Sequence, residues 1–333
     1  MNMFRNHSRP GLRLNWLLGG ILLGLAARGA QAIGSSSPRP AQAPHLKALR
    51  SHPKVALTFD DVPAAGGLPV GETRAAIAGR LADELRANHI KGVYGFVNAV
   101  GVDQDGDLKE ALRIWVAKGM RIGNHTWSHP ELDSDTASAY EREIALDEPA
   151  LREYAQGHDW HWFRYPYLEE GDTVAKREDV RNWLRAHGYR IAEVTLNFND
   201  DDWSDPYNRC LAGHDAAGIA WLERSYMENA AEFIRVGRQE QQIAFGHEIP
   251  NVLLLHETAF TTLMLPRLIE LLRRSGFRFA DLRSVERNRA YRKDAAAGLP
   301  GGGSLSNEFL NARHLPYPSF TPEPEQELDR LCR

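Results

Sequence analysis

About seven times between residues 55 and 280, a short β-prone run gives way to a stretch with helical spacing, and this alternation constrains the fold most strongly. The β-prone runs fall at 55–61, 92–97, 120–123, 161–164, 189–194, 251–256 and 277–280. Helices are predicted at 72–88, 108–118, 137–154, 178–187 and 260–274, and three of them run into Gly119, Gly188 or Gly276, where a left-handed cap is expected. Strands that alternate with helices build a parallel sheet covered by those helices. Seven such units fit a (β/α) barrel better than an open sheet, although periodicity alone does not separate the two.

Two stretches break the alternation. Residues 205–248 are helix-prone, with Ala220, Trp221, Arg224 and Met227 spaced to share a face, and read as a helical insertion between two strands. Residues 292–333 carry Gly301, Gly302, Gly303 and four prolines from Pro316 to Pro324, and read as a C-terminal tail that wraps the domain or is partly disordered. At the other end, Arg5, Arg9 and Arg13 precede an apolar run at 16–27 and then Ala30, Gln31 and Ala32. That order is the grammar of a signal peptide, 1–32, followed by a flexible lead-in over 33–50. Export to the periplasm or outside the cell is the expectation, with no stable membrane span left after cleavage; an uncleaved N-terminal anchor, which Arg28 near the cleavage region keeps open, is the alternative. In that compartment Cys210 and Cys332, the two cysteines of the chain, are free to form a bridge or to stay as thiols. With 40 basic against 44 acidic residues there is no cationic surplus, so nucleic acid is not an expected partner.

The first β-prone run ends in Asp60 and Asp61, two carboxylates at a strand tip, where parallel α/β folds keep their chemistry. Adjacent side chains on a strand point to opposite sides, so the two acids are expected to hold different jobs, and a bend is needed to bring both into one cleft. The glycines at 66 and 67 lack the spacing of a phosphate-binding loop. The third strand runs into His125 and His129, whose spacing lets both imidazoles converge on one ion. Thr126 follows the first histidine where a zinc-protease motif needs Glu, which removes that alternative. Two histidines satisfied by hydrogen bonds are the bland counterpart; with an acid from a neighbouring strand tip, two His and one Asp leave positions open for water or substrate.

In chain order, TFDD (58–61), HTWSH (125–129), RYPY (164–167), DDW (201–203) and LLLH (253–256) resemble the five motifs of the polysaccharide deacetylases, carbohydrate esterases that act on chitin, peptidoglycan and xylan. The resemblance runs from about residue 54 to 282 and implies a distorted (β/α)7 barrel, with a catalytic domain over 51–291. It implies Asp61, His125 and His129 as ligands of a divalent metal, Zn²⁺ first, with Co²⁺ or Ni²⁺ as substitutes. Asp60 becomes the general base, Arg164 the cation that keeps it ionised, and Tyr167 the backbone N–H donor to the oxyanion. His256 becomes the general acid, oriented by Asp202, while Trp203 and Pro166 line the substrate pocket. The chain departs from the family pattern at Val62, which replaces a glycine beside the base, and at Asn199, which replaces an acid three residues before Asp202.

What the resemblance implies is removal of acetyl from an N-acetylated, peptidoglycan- or chitin-like glycan. Two alternatives stand beside it: hydrolysis of an O-acetyl ester or small amide at the same site, and a carbohydrate-binding protein of the same fold without catalysis. The presence of base, three ligands and acid disfavours the last.

Overall fold

The computed structural model of the protein describes residues 52–292, 294 and 296–333, so the expected signal peptide and the whole lead-in lie outside the described residues. Seven strands form one sheet: β1 (Lys54–Val62), β2 (Tyr94–Val97), β3 (Arg121–Asn124), β4 (Trp162–Phe163), β5 (Arg190–Ile191), β6 (Asn251–His256) and β7 (Arg278–Phe279). Every ladder is parallel, the order is β5-β4-β3-β2-β1-β6, and β7 pairs with the first residues of β1. Just past β5 the backbone N–H groups of Thr195 and Leu196 reach the carbonyl of Val252, and Leu196 bridges Leu253. The chain beyond β5 therefore lies on the outer edge of β6, and the sheet curls into a distorted barrel.

Helices α1 (Arg74–Ala87), α2 (Gly106–Ala117), α3 (Ala137–Tyr154) and α4 (Val174–Ala186) follow the first four strands. α5 (Ser204–Ala212) and α6 (Ala216–Phe245) precede β6, α7 (Ala259–Arg274) follows it, and α8 (Leu282–Glu286), α9 (Leu305–Ala312) and α10 (Glu325–Arg330) complete the chain. The side chains of Thr73, Thr136, Thr173 and Thr258 each cap a helix by accepting a backbone N–H three residues on, and so fix where α1, α3, α4 and α7 begin. β1 is buried from Val55 to Asp60, which is why it reads as a continuous apolar run rather than an alternating one. The ring of Trp115 from α2 meets Phe59 edge-on and lies so close to β2 that a Cβ on Gly95 would stand 2.9 Å from it. Glycine at that position is a packing requirement.

α6, thirty residues long, packs Leu222, Tyr226 and Ala230 into the same core as the barrel strands. The tail is held at several points. Leu305, Phe309 and Leu310 of α9 are buried, Glu323 accepts from Asn199 and Asn229, and Cys332 is bonded to Cys210 of α5. Arg177 of α4 ties Glu170 at 2.7 Å to Asp294 and Glu308 of the tail.

Candidate active site

β1 delivers Asp60 directly opposite His256 in the β1–β6 ladder. The next residue, Asp61, has φ 58°, and this left-handed step supplies the bend that brings two consecutive carboxylates to one cleft. Asp60 is buried and accepts from Nη1 of Arg164 at 3.0 and 3.1 Å. Arg164 is itself fixed: Nε donates to the carbonyl of Ala192 at 2.8 Å, Nη2 reaches Thr58, and the guanidinium lies 4.6 Å above the ring of Phe96. Burial pushes the Asp60 carboxyl up to about 6, against the pull of Arg164.

Asp61 faces the histidines instead. Its Oδ1 lies 3.5 Å from Nε2 of His125 and 3.3 Å from Nε2 of His129, and finds no hydrogen-bond donor although it is buried. His125 donates Nδ1–H to the carbonyl of Arg164 at 2.7 Å, which leaves the Nε2 lone pair free. The loop from 125 to 129 is no helix: Thr126 and His129 both have positive φ, and Asn98 grips the carbonyls of His125 and Thr126, so that the two imidazoles stand 4.9 Å apart. Burial, with His129 alongside, holds His125 well below the usual imidazole range and keeps it neutral. Burial works against ionisation of Asp61, yet His129 and His125 hold it below its ordinary value. A buried oxygen without a donor, facing the Nε2 lone pair of His125 and the ring of His129, fits a cation far better than a hydrogen-bonded triad. Their ligand atoms all lie within 4.8 Å of one another.

His256 sits on the far side of Asp60. Its Nδ1 is 2.9 Å from Asp200 Oδ1 and 3.2 Å from Asp201 Oδ1, while Asp200 Oδ2 accepts the backbone N–H of His256 and the hydroxyl of Thr261. Burial alone lowers an imidazole's pKa, but Asp201 and Asp200 overcome it and hold His256 well above the usual value. The expectation that Asp202 orients His256 is corrected: in the tight turn Asp200–Trp203, Asp200 faces inward and Asp202 is exposed. Thr261 was likewise not expected from sequence, while Asp201, part of the DDW motif, stands beside the imidazole. The run of three aspartates is the one local signal, and it does not say which faces the histidine.

Trp203 also departs from expectation. Its side chain is inaccessible to solvent, donates Nε1–H to Ser225 at 2.8 Å and packs edge-on against Tyr226, so it belongs to the core and lines no open pocket. Pro166 is buried at the start of a short 3-10 turn. In that turn Tyr167 has φ 56° and lays its half-exposed ring 4.4 Å from His129. The structure thus gathers Asp60, Asp61, His125, His129, Arg164, Tyr167 and His256 at the carboxyl ends of the strands and replaces Asp202 by Asp200.

Residues 48–192 match the family described as polysaccharide deacetylase; the match takes in the two acids, both histidines and Arg164 to Tyr167, and stops short of the Asp200 turn and His256. A chitin deacetylase of Arthroderma benhamiae is 29% identical over 152 residues, 46% of this chain and 36% of the relative. The peptidoglycan-N-acetylglucosamine deacetylase PgdA of Listeria monocytogenes is 22% identical over 34% of this chain and 22% of its own. The chain thus spans well under half the length of these relatives. Among solved structures, the chitin deacetylase of the fungal pathogen Colletotrichum lindemuthianum aligns with a TM-score of 0.48 at 22% identity, covering 71% of this chain and 88% of its own.

Proposed function

From the match of residues 48–192 to the polysaccharide deacetylase family and the geometry of the site, we propose that this protein hydrolyses acetyl groups from an N-acetylated polysaccharide or oligosaccharide of peptidoglycan- or chitin-like chemistry. The observation that carries this reading is the division of labour at the β1 tip. Asp61, with an orphaned buried oxygen, stands with His125 and His129, while its neighbour Asp60 is paired to Arg164 and turned toward His256.

Asp61, His125 and His129 would hold a divalent ion, Zn²⁺ by ligand chemistry, with Co²⁺ or Ni²⁺ as workable substitutes. When bound, such an ion supplies Lewis acidity to the acetyl carbonyl and to water at neutral pH. The remaining work falls to this chain's own groups. Asp60 accepts the proton of the attacking water; a carboxyl raised to about 6 is ionised at neutral pH and still a better acceptor than an exposed one. Arg164 keeps that carboxylate aimed through its Nη1 contacts. The backbone N–H of Tyr167 serves the oxyanion, a preorganised donor of the kind worth about 3–4 kcal/mol in acyl transfer. His256, kept protonated by Asp201 and Asp200, delivers a proton to the leaving amine, and Thr261 steadies Asp200 from behind.

The signal peptide expected at 1–32 and the Cys210–Cys332 bridge support an exported protein, since such bridges persist in oxidising compartments. No helix among the described residues is long and apolar enough to cross a membrane. The test is acetate release from N-acetylglucosamine oligomers, peptidoglycan fragments and O-acetylated xylan in the presence of Zn²⁺, Co²⁺ or Ni²⁺. Release from the N-acetylated substrates is expected. Release from xylan alone would make the protein an ester hydrolase, and binding without release from any of them would end the catalytic reading.

A further inference from the structure

A second concavity of about 510 Å³ opens between α4 and α8, and none of the residues assigned to catalysis lines it. Its volume falls within the roughly 300–1,000 Å³ of small-molecule sites. Its charge is the opposite of the acid-rich cleft at the strand tips. Five arginines line it, 181, 185 and 190 from one side and 283 and 287 from the other, against the two carboxyls of Glu193 and Glu286. Arg181 is committed to Glu170 and Glu193, and Arg190 to Asp159. Among the described residues, Arg185 meets only the side-chain oxygen of Asn182, and neither Arg283 nor Arg287 pairs with an acid. Arg283 and Arg287 stand one helical turn apart, so they share a face. Burial raises both acids, Glu193 to about 7 and Glu286 well above the ordinary value, which limits how much of the arginine charge they neutralise. Guanidinium groups gathered around one cavity repel each other unless oxyanions enter between them, and their planar forks match carboxylate and phosphate.

We propose that this groove is an anion-binding site, separate from the deacetylase cleft, that takes a molecule bearing two or more carboxylate or phosphate groups. Arg185, Arg283 and Arg287 are the uncommitted cations that grip it. Arg190, stacked 4.6 Å above Trp162, borders the same space. The proposal does not depend on the deacetylase reading.

The test is calorimetric titration of the full exported chain with two probes, trigalacturonate for carboxylates and tripolyphosphate for phosphates. Wild type is expected to bind at least one, and the preferred probe identifies the chemistry. The doubly substituted Arg283→Glu, Arg287→Glu protein is expected to lose about tenfold or more in affinity, as is Arg185→Ala, while Arg142→Glu, an exposed arginine on α3 outside the groove, binds like wild type. Circular dichroism and the urea midpoint should be unchanged in all three, which reports an intact fold; should the double variant fail to fold, Arg185→Ala alone decides. Failure of wild type to bind either probe would overturn the proposal. So would undiminished binding by the groove variants, the result expected if tripolyphosphate were captured by a metal in the catalytic cleft.

Discussion

His256 Nδ1 lies 2.9 Å from Asp200 Oδ1, and the second oxygen of the same carboxylate takes the backbone N–H of His256 and the hydroxyl of Thr261. One buried carboxylate therefore fixes the ring, its backbone and the first turn of the following helix together. The arrangement leaves the imidazole Nε2 as the nitrogen available for proton delivery.

Asp200→Asn removes the charge that holds the imidazolium. A general acid works only while protonated, so activity falls as pH rises through its pKa; with that pKa raised, the alkaline limb of kcat/KM lies above the ordinary imidazole value. The substitution is expected to move this limb to lower pH and to cost about 10²-fold in turnover, within the usual range for a positioned acid. Asp202→Asn should leave the profile in place. An unmoved limb in Asp200→Asn, or a shifted one in Asp202→Asn, would return the role to Asp202.

Trp203→Ala should act on stability. Truncating a fully buried aromatic is expected to cost about 3–5 kcal/mol of unfolding free energy, read as a lower denaturant midpoint. KM for an oligosaccharide should change little in the molecules that remain folded. A raised KM with an unchanged midpoint would make Trp203 a pocket residue.

What was legible in sequence follows what each signal reports. β6 coincides with its predicted 251–256 because a run buried on both faces announces itself by composition. β5 is two residues long where six were expected, since apolar content reports burial and not which neighbour the backbone bonds. After Ala192, whose N–H still reaches the carbonyl of Phe163, the chain leaves β4 and passes to β6 through Thr195 and Leu196. α4 begins four residues early because Thr173 caps it ahead of the first apolar repeat. The acid pair and both histidines stand out by residue type and spacing, whereas Arg164 is singled out only by the resemblance of RYPY to the family motif. Asp200 was not, because three consecutive aspartates are locally alike and only contact with His256 and Thr261 distinguishes them. The arginine groove joins positions about a hundred residues apart in sequence, and no local pattern marks it.

Glu257 gives stability a pH dependence. Its two carboxyl oxygens are buried without hydrogen-bond partners, and burial raises the group to about 8, with Arg74 pulling the other way. The folded state then holds a proton that the unfolded chain releases near 4.5, so this group lowers stability progressively as pH rises from 4.5 toward 8. Glu257→Gln is expected to flatten that decline, measured as urea midpoints at pH 5 and pH 8. A decline as steep as in wild type would contradict it.

The Cys210–Cys332 bridge closes a sequence separation of 122 and fastens the end of the tail to α5. Replacing both cysteines by serine should lower stability by about 2–4 kcal/mol, the usual contribution of a native bridge. Thiol titration of the denatured, unreduced wild type should find no free thiol; two free thiols would remove both the bridge and its support for export.

The central claim is that Asp60 and Asp61, adjacent in sequence, do separate work. Bound metal and acetate release, measured side by side for Asp60→Asn and Asp61→Asn, test it most directly. Asp61→Asn is expected to lose metal and activity together, because an amide carries no charge to offset a divalent ion. Asp60→Asn is expected to keep its metal and lose about 10²–10⁴-fold in turnover, the usual contribution of a positioned proton acceptor. Undiminished turnover in Asp60→Asn, or full metal retention in Asp61→Asn, would contradict the account.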